Sequence, residues 1–110
     1  MAVAAAAPAL AQDAGKGKAV FESRCIACHS LAANRVGPAL GTVFGRKAGT
    51  HPGFAYSPAL KAAGHVWDRA KLETWLANPQ AFVPGAAMPF RLGSEAERRD
   101  VVAYLRSLGK

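Results

Sequence analysis

Two cysteines three positions apart, followed at once by a histidine, constrain this chain more than any other feature: Cys25-Ile26-Ala27-Cys28-His29. No other cysteine occurs in the 110 residues, so every thiol is committed to this one stretch. Two thiols one helical turn apart can each form a thioether to a vinyl group of a haem, and the next residue then carries an imidazole under the ring. A single c-type haem, held by Cys25 and Cys28 and ligated by His29, is therefore expected. Zinc would need four ligands, and His51 and His65 do not stand at finger-type spacing. A thioredoxin-like dithiol would sit near a βαβ pattern, and no convincing strand is found.

The length suits one domain and not two. A domain of this size buries a limited share of its surface, and many of its apolar residues are alanines, so a covalent haem would supply missing core mass. The formal charge of +7 points to an acidic partner surface or an anionic membrane face. Nucleic acid is a poor fit, because the basic residues are scattered and no helix carries a basic run. Residues 1–11 carry no charge, and Ala9-Leu10-Ala11 fits the small-x-small pattern of a signal-peptidase site. The positive n-region is absent, so residues 1–11 read as a truncated signal-like or disordered leader, and 12–110 as the single domain. Export would suit c-type attachment, and the expected location is periplasmic. No stretch approaches the roughly 20 apolar residues of a membrane span, which leaves at most peripheral membrane contact.

Asp13 can cap a first helix, with Gly17, Val20, Phe21 and Arg24 on one face, running into the cysteine motif. Residues 30–45 read as loop, punctuated by Asn34, Gly37-Pro38, Gly41 and Gly45. A carbonyl such as that of Pro38 could accept the free ring N–H of His29 and so fix its tautomer; as a residue, Pro38 reads equally as a turn former. Ser57-Pro58 opens a short helix over 59–63 that Gly64 closes. Asp68 caps the next, which buries Leu72, Trp75 and Leu76 and ends at Asn78-Pro79. Ser94-Glu95-Ala96-Glu97 is a capping box. It opens a last helix with a stripe of Val101, Tyr104, Leu105 and Leu108 and a stop at Gly109.

Between these helices, residues 74–90 carry no charge and contain Met88, the one methionine besides Met1, in a proline-bounded loop. A lone methionine is usually core filler. An iron held by His29 on one side needs a second ligand, and a thioether favours the ferrous state. Met88 is the candidate, with His51 and His65 as rivals.

These features in this order resemble class I cytochrome c, of the soluble bacterial type similar to the mitochondrial protein. The resemblance rests on Cys25-x-x-Cys28-His29, the Gly37-Pro38 turn, Trp67, the Pro84-Gly85-x-x-Met88 loop and the Ala103-Tyr104-Leu105 helix, and covers about residues 13–110. It implies an all-α fold. The N- and C-terminal helices cross at Gly17, Phe21, Tyr104 and Leu105, and two or three shorter helices and loops wrap one haem. It implies that the Pro38 carbonyl accepts from His29, that Arg46, Tyr56 and Trp67 hold the inner haem propionate, and that Trp75 lies beside the Met88 ligand. The family loop usually reads Pro-Gly-Thr-Lys-Met; here Ala86 and Ala87 replace the threonine and lysine. Gln80 and Ala81 also stand where mitochondrial relatives carry lysines, so the loop is less basic, with Lys18, Arg24 and Arg35 left to form a cationic rim.

The function so implied is one-electron transport between redox proteins, such as a cytochrome bc1-type complex, a terminal oxidase or a periplasmic dehydrogenase, by a monomer that is not an enzyme. With both iron positions filled by protein, a substrate has nowhere to bind. Two alternatives stay open: a haem sensor or weak peroxidase in which Met88 leaves the iron, and a cytochrome subunit of a dehydrogenase.

Overall fold

A computed structural model describes residues 12–109, so the leader read over 1–11 lies outside the described residues. Among the described residues five α-helices occur, in the order α1 (Ala14–Val20), α2 (Pro58–Lys61), α3 (Arg69–Ala77), α4 (Pro79–Phe82) and α5 (Glu95–Gly109). Among the described residues there is no strand, and the one isolated bridge pairs Lys47 with Val66. The fold is all-α, with three short helices between the two terminal ones.

Side-chain caps start these helices where the sequence places them, since the first turn of a helix has amides without intrahelical acceptors. Asp13 accepts from the Lys16 amide at 3.0 Å, and Asp68 from the Lys71 amide at 2.8 Å. Ser57 and Ser94 do the same for Leu60 and Glu97, each at 3.2 Å. Asn78 ends α3 as expected but also caps a new turn, accepting from the Ala81 amide at 3.3 Å, so the chain restarts at Pro79 as α4.

The terminal helices form the frame. A Cβ on Gly17 would lie 1.9 Å from the Asp100 carbonyl oxygen, so only glycine lets α1 lie this close to α5. Phe21 and Tyr104 close the crossing, with ring centroids 5.8 Å apart. The Asp13 amide donates to the Asp100 carboxylate at 3.0 Å, and Arg24 pairs with Glu97 at 3.7 Å. The stripe on α5 differs from expectation at its end. Val101, Val102 and Leu105 are buried, whereas Leu108 is 38% exposed. α5 packs against both α1 and α3, which buries two neighbouring valines at its middle, and Leu108 lies beyond them near its end. Gly109 is still helical rather than a stop.

The helix entering the cysteine motif is not α-helical throughout. Phe21–Cys25 forms a π-helical turn, in which the Ile26 amide donates to the Phe21 carbonyl at 3.1 Å. Such a turn holds an extra residue and is common at functional sites; here it sets the angle at which Cys25 leaves the helix. The core that receives it gathers Phe21, Val43, Trp67, Leu72, Trp75, Leu76, Leu92 and the α5 valines, with Cys25, Leu40, Met88 and Phe90 packed on its edge.

Candidate functional site

The cysteine motif continues from the π turn as a tight turn. The Cys25 carbonyl accepts from the amides of Cys28 at 3.1 Å and His29 at 2.9 Å. Both thiols are free. Burial pushes the Cys25 thiol up to about 11, with the Arg24 charge acting against it. A thiol so protonated is a poor redox nucleophile. Among the described residues no three His, Cys, Asp or Glu side chains converge on a metal site. Neither the dithiol nor the zinc alternative gains support.

His29 is held on two sides. Its Nδ1 lies 2.8 Å from the Pro38 carbonyl oxygen. A carbonyl only accepts, so Nδ1 carries the proton and Nε2 keeps its lone pair. Burial lowers the His29 pKa, the Pro38 hydrogen bond raises it, and the Arg35 charge lowers it again. The ring face rests on Gly37, where a Cβ would fall 2.2 Å from Cε1. Glycine is the one residue that leaves space for the imidazole there. The residues thus fit a haem: paired thiols, then a neutral imidazole with a free Nε2.

A second group lies along the bridge between Lys47 and Val66. The Trp67 amide donates to the Arg46 carbonyl at 2.9 Å, which sets the two residues side by side. The Arg46 guanidinium donates to Thr42 Oγ1 at 3.1 Å, to the Ala39 carbonyl at 3.1 Å and to His51 Nδ1 at 3.0 Å. Tyr56 accepts from the His51 amide at 3.1 Å. Burial lowers the Arg46 pKa, and Tyr56 opposes that. Of the rival ligands, His51 is thus tied to Arg46. His65 is wedged edge-on between Trp67 at 4.3 Å and Phe82 at 5.2 Å. Trp75 stacks edge-on against Trp67 at 5.4 Å.

Met88 lies half-buried against the same core that Cys25 borders. Its loop is held by Gln80, which the sequence reading noted only as a missing positive charge. The Gln80 amide donates to the carbonyls of Ala86 and Met88, the latter at 3.3 Å. The hint was a polar amide inside an uncharged stretch. Two further residues went unremarked as anchors. Asn34 accepts from the Ala39 amide at 2.9 Å and donates to the Pro52 carbonyl at 3.1 Å, joining two loops. Arg35, expected on a cationic rim, turns its guanidinium onto main-chain carbonyls of the cysteine motif.

Comparison with known proteins agrees with this geometry. A family model described as "Cytochrome c" matches residues 14–109. The chain is 46% identical to a "Cytochrome c2" of Rhodopseudomonas palustris over 114 residues, covering 88% of this chain and 99% of that one. It is 46% identical to a "Cytochrome c" of Euglena viridis over 99 residues, covering 87% and 97%. Among solved structures, cytochrome cH from Methylobacterium extorquens is similar, with a TM-score of 0.82 and 43% identity over 86% of this chain and 98% of that one.

Proposed function

The chain belongs to the cytochrome c family, and from that premise we propose that it carries single electrons on one haem held by Cys25, Cys28, His29 and Met88. The observation that carries this is the state of His29: Nδ1 bound to the Pro38 carbonyl, Nε2 left as a lone-pair donor. When bound, the haem supplies a reversible one-electron couple at its iron.

The chain's own residues do the rest. Cys25 and Cys28 would tether the group through thioethers, and His29 would offer Nε2 to the iron. Met88 would offer its thioether from a loop whose carbonyls Gln80 holds. Arg46 and Tyr56 are suited to a partly buried propionate, since such a carboxylate must be paired or hydrogen-bonded. Trp67 and Trp75 exclude water beside it. With His29 and Met88 both bound to the iron, a substrate would have no open position there, and an enzyme reaction is not expected.

The partners we propose are redox proteins of the periplasm, among them a bc1-type complex, a terminal oxidase or a dehydrogenase, met by a monomer through a small transient contact. Among the described residues no helix is long and apolar enough to cross a membrane. Gln80, Ala81, Ala86 and Ala87 leave the Met88 loop without a charge, so docking should be only moderately salt-sensitive; a steep fall in association rate with salt would count against this.

One observation keeps the sensor or peroxidase reading alive: Gln80 is the one side chain seen to hold the backbone of the Met88 loop among the described residues. The test is a titration of the purified ferric protein with imidazole or cyanide, beside a ferrous spectrum. Low-spin bands that resist added ligand support His29/Met88 ligation and electron transport. Immediate binding, or a high-spin spectrum, moves ligand sensing ahead.

A further inference from the structure

Four consecutive carbonyls of the cysteine motif accept hydrogen bonds from one short segment. Arg35 Nη1 donates to Ile26 and, at 3.2 Å, to His29; Arg35 Nη2 donates to Ala27 at 3.2 Å. The Gly37 amide donates to Cys28 at 2.9 Å, and the Arg35 amide donates back to the Gly37 carbonyl at 2.8 Å, closing the donor segment on itself. Such carbonyls lie past the end of a helical run, where no amide follows to meet them. A cation is favoured at that end. Only arginine presents several donors in a rigid plane, so one side chain can serve three acceptors.

We propose that Arg35 is a positioning residue for the haem attachment turn, forking onto its carbonyls to hold it in one shape and keeping a positive charge against it. This rests on the reading that Cys25 and Cys28 carry a haem. The fork spans residues on both sides of Cys28, so it fixes the path from the second thiol to His29. With a haem held by the motif, that charge would favour the less positive oxidation state of its iron by Coulomb repulsion.

The test compares purified, haem-loaded wild type with Arg35→Lys and Arg35→Gln. Lysine keeps the charge and loses the fork; glutamine loses both. Amide hydrogen exchange is read at Cys28, His29 and Gly37, and at Val101 and Leu105 in α5 as a reference. Midpoint potentials are read in parallel. Both variants should speed exchange at the motif by about tenfold or more while α5 keeps its protection. The potential should move negative in Arg35→Gln and stay near wild type in Arg35→Lys. Unchanged exchange at the motif, equal acceleration in α5, or an unmoved potential in Arg35→Gln each overturns the proposal. A wild-type protein without haem bands overturns the haem assignment instead, and is seen before any variant is made.

Discussion

The two sides of the site are built by different means. On the His29 side, backbone carbonyls and amides of residues 25–38 satisfy one another, with Arg35, Gly37 and Pro38 all engaged on the motif. On the Met88 side, the loop carries alanines and prolines, and its backbone is held by Gln80 from outside. A ligand embedded in mutually satisfied backbone moves only if several hydrogen bonds break together. A residue on a loop with fewer such bonds, the Ala86 amide to the Val83 carbonyl and the two from Gln80, can move more readily, from the lower-stability end of the structure. If His29 and Met88 both ligate the haem iron as proposed, the first would be the fixed ligand and the second the tunable one.

The largest expected effect breaks the rigid side. Gly37→Ala sets a methyl on the His29 ring and should cost about 3 kcal/mol, read as a lower guanidinium midpoint of the haem-loaded protein. An unchanged midpoint would show that the ring has room to shift, and that the two sides are less unlike than described. Next, Asn34→Ala removes the link between the Ala39 amide and the Pro52 carbonyl. It should cost about 1.5 kcal/mol and leave imidazole binding at the ferric iron unaffected. Faster imidazole binding in that variant would mean the two sides are coupled.

On the tunable side, Gln80→Ala should leave the unfolding midpoint nearly in place. It should raise the rate of imidazole binding roughly fivefold, the equivalent of about 1 kcal/mol. If Gln80→Ala instead lowers stability as much as Gly37→Ala, the contrast fails. The smallest effect concerns acid. Burial holds the His65 pKa below its ordinary value of 6.5, with Lys71 adding to this and Asp68 opposing it. The unfolded chain then takes up a proton before the folded one. The contribution of His65 is therefore whole above pH 6.5 and declines as pH falls below that value. Because His65 packs on Phe82 at the entrance to the Met88 loop, acid should loosen that side first. His65→Phe should flatten the acid limb of the melting curve; an unaltered slope would remove His65 from the account.

Much of this molecule is readable without coordinates. The helix starts at Asp13, Ser57, Asp68 and Ser94 follow from local chemistry, because a short polar side chain can satisfy amides three residues ahead wherever it stands. The chemistry of Cys25, Cys28 and His29 is equally local, since one turn brings thiols and imidazole together. The Gly17 contact with α5 is legible once two amphipathic helices must cross, although its closeness is not. Errors gather where phase or distance matters. Leu108 keeps the spacing of the α5 stripe yet faces outward, because where α1 and α3 lie decides which part of a stripe is covered. Asn78 ends one helix and begins another, because its side chain finds the Ala81 amide.

What the sequence determined alone is therefore the local chemistry: the helix caps, the paired thiols, a histidine able to ligate and a methionine in a loop. The tertiary structure decided which groups far apart in the chain meet. It joined His29 to Pro38 and seated its ring on Gly37, set the Arg35 guanidinium on main-chain carbonyls of the cysteine motif, and used Gln80 to hold the Met88 loop. The physical reason is that carbonyls and amides are alike at every position. Sequence shows that they need partners, and only the fold brings a particular donor within reach of a particular acceptor.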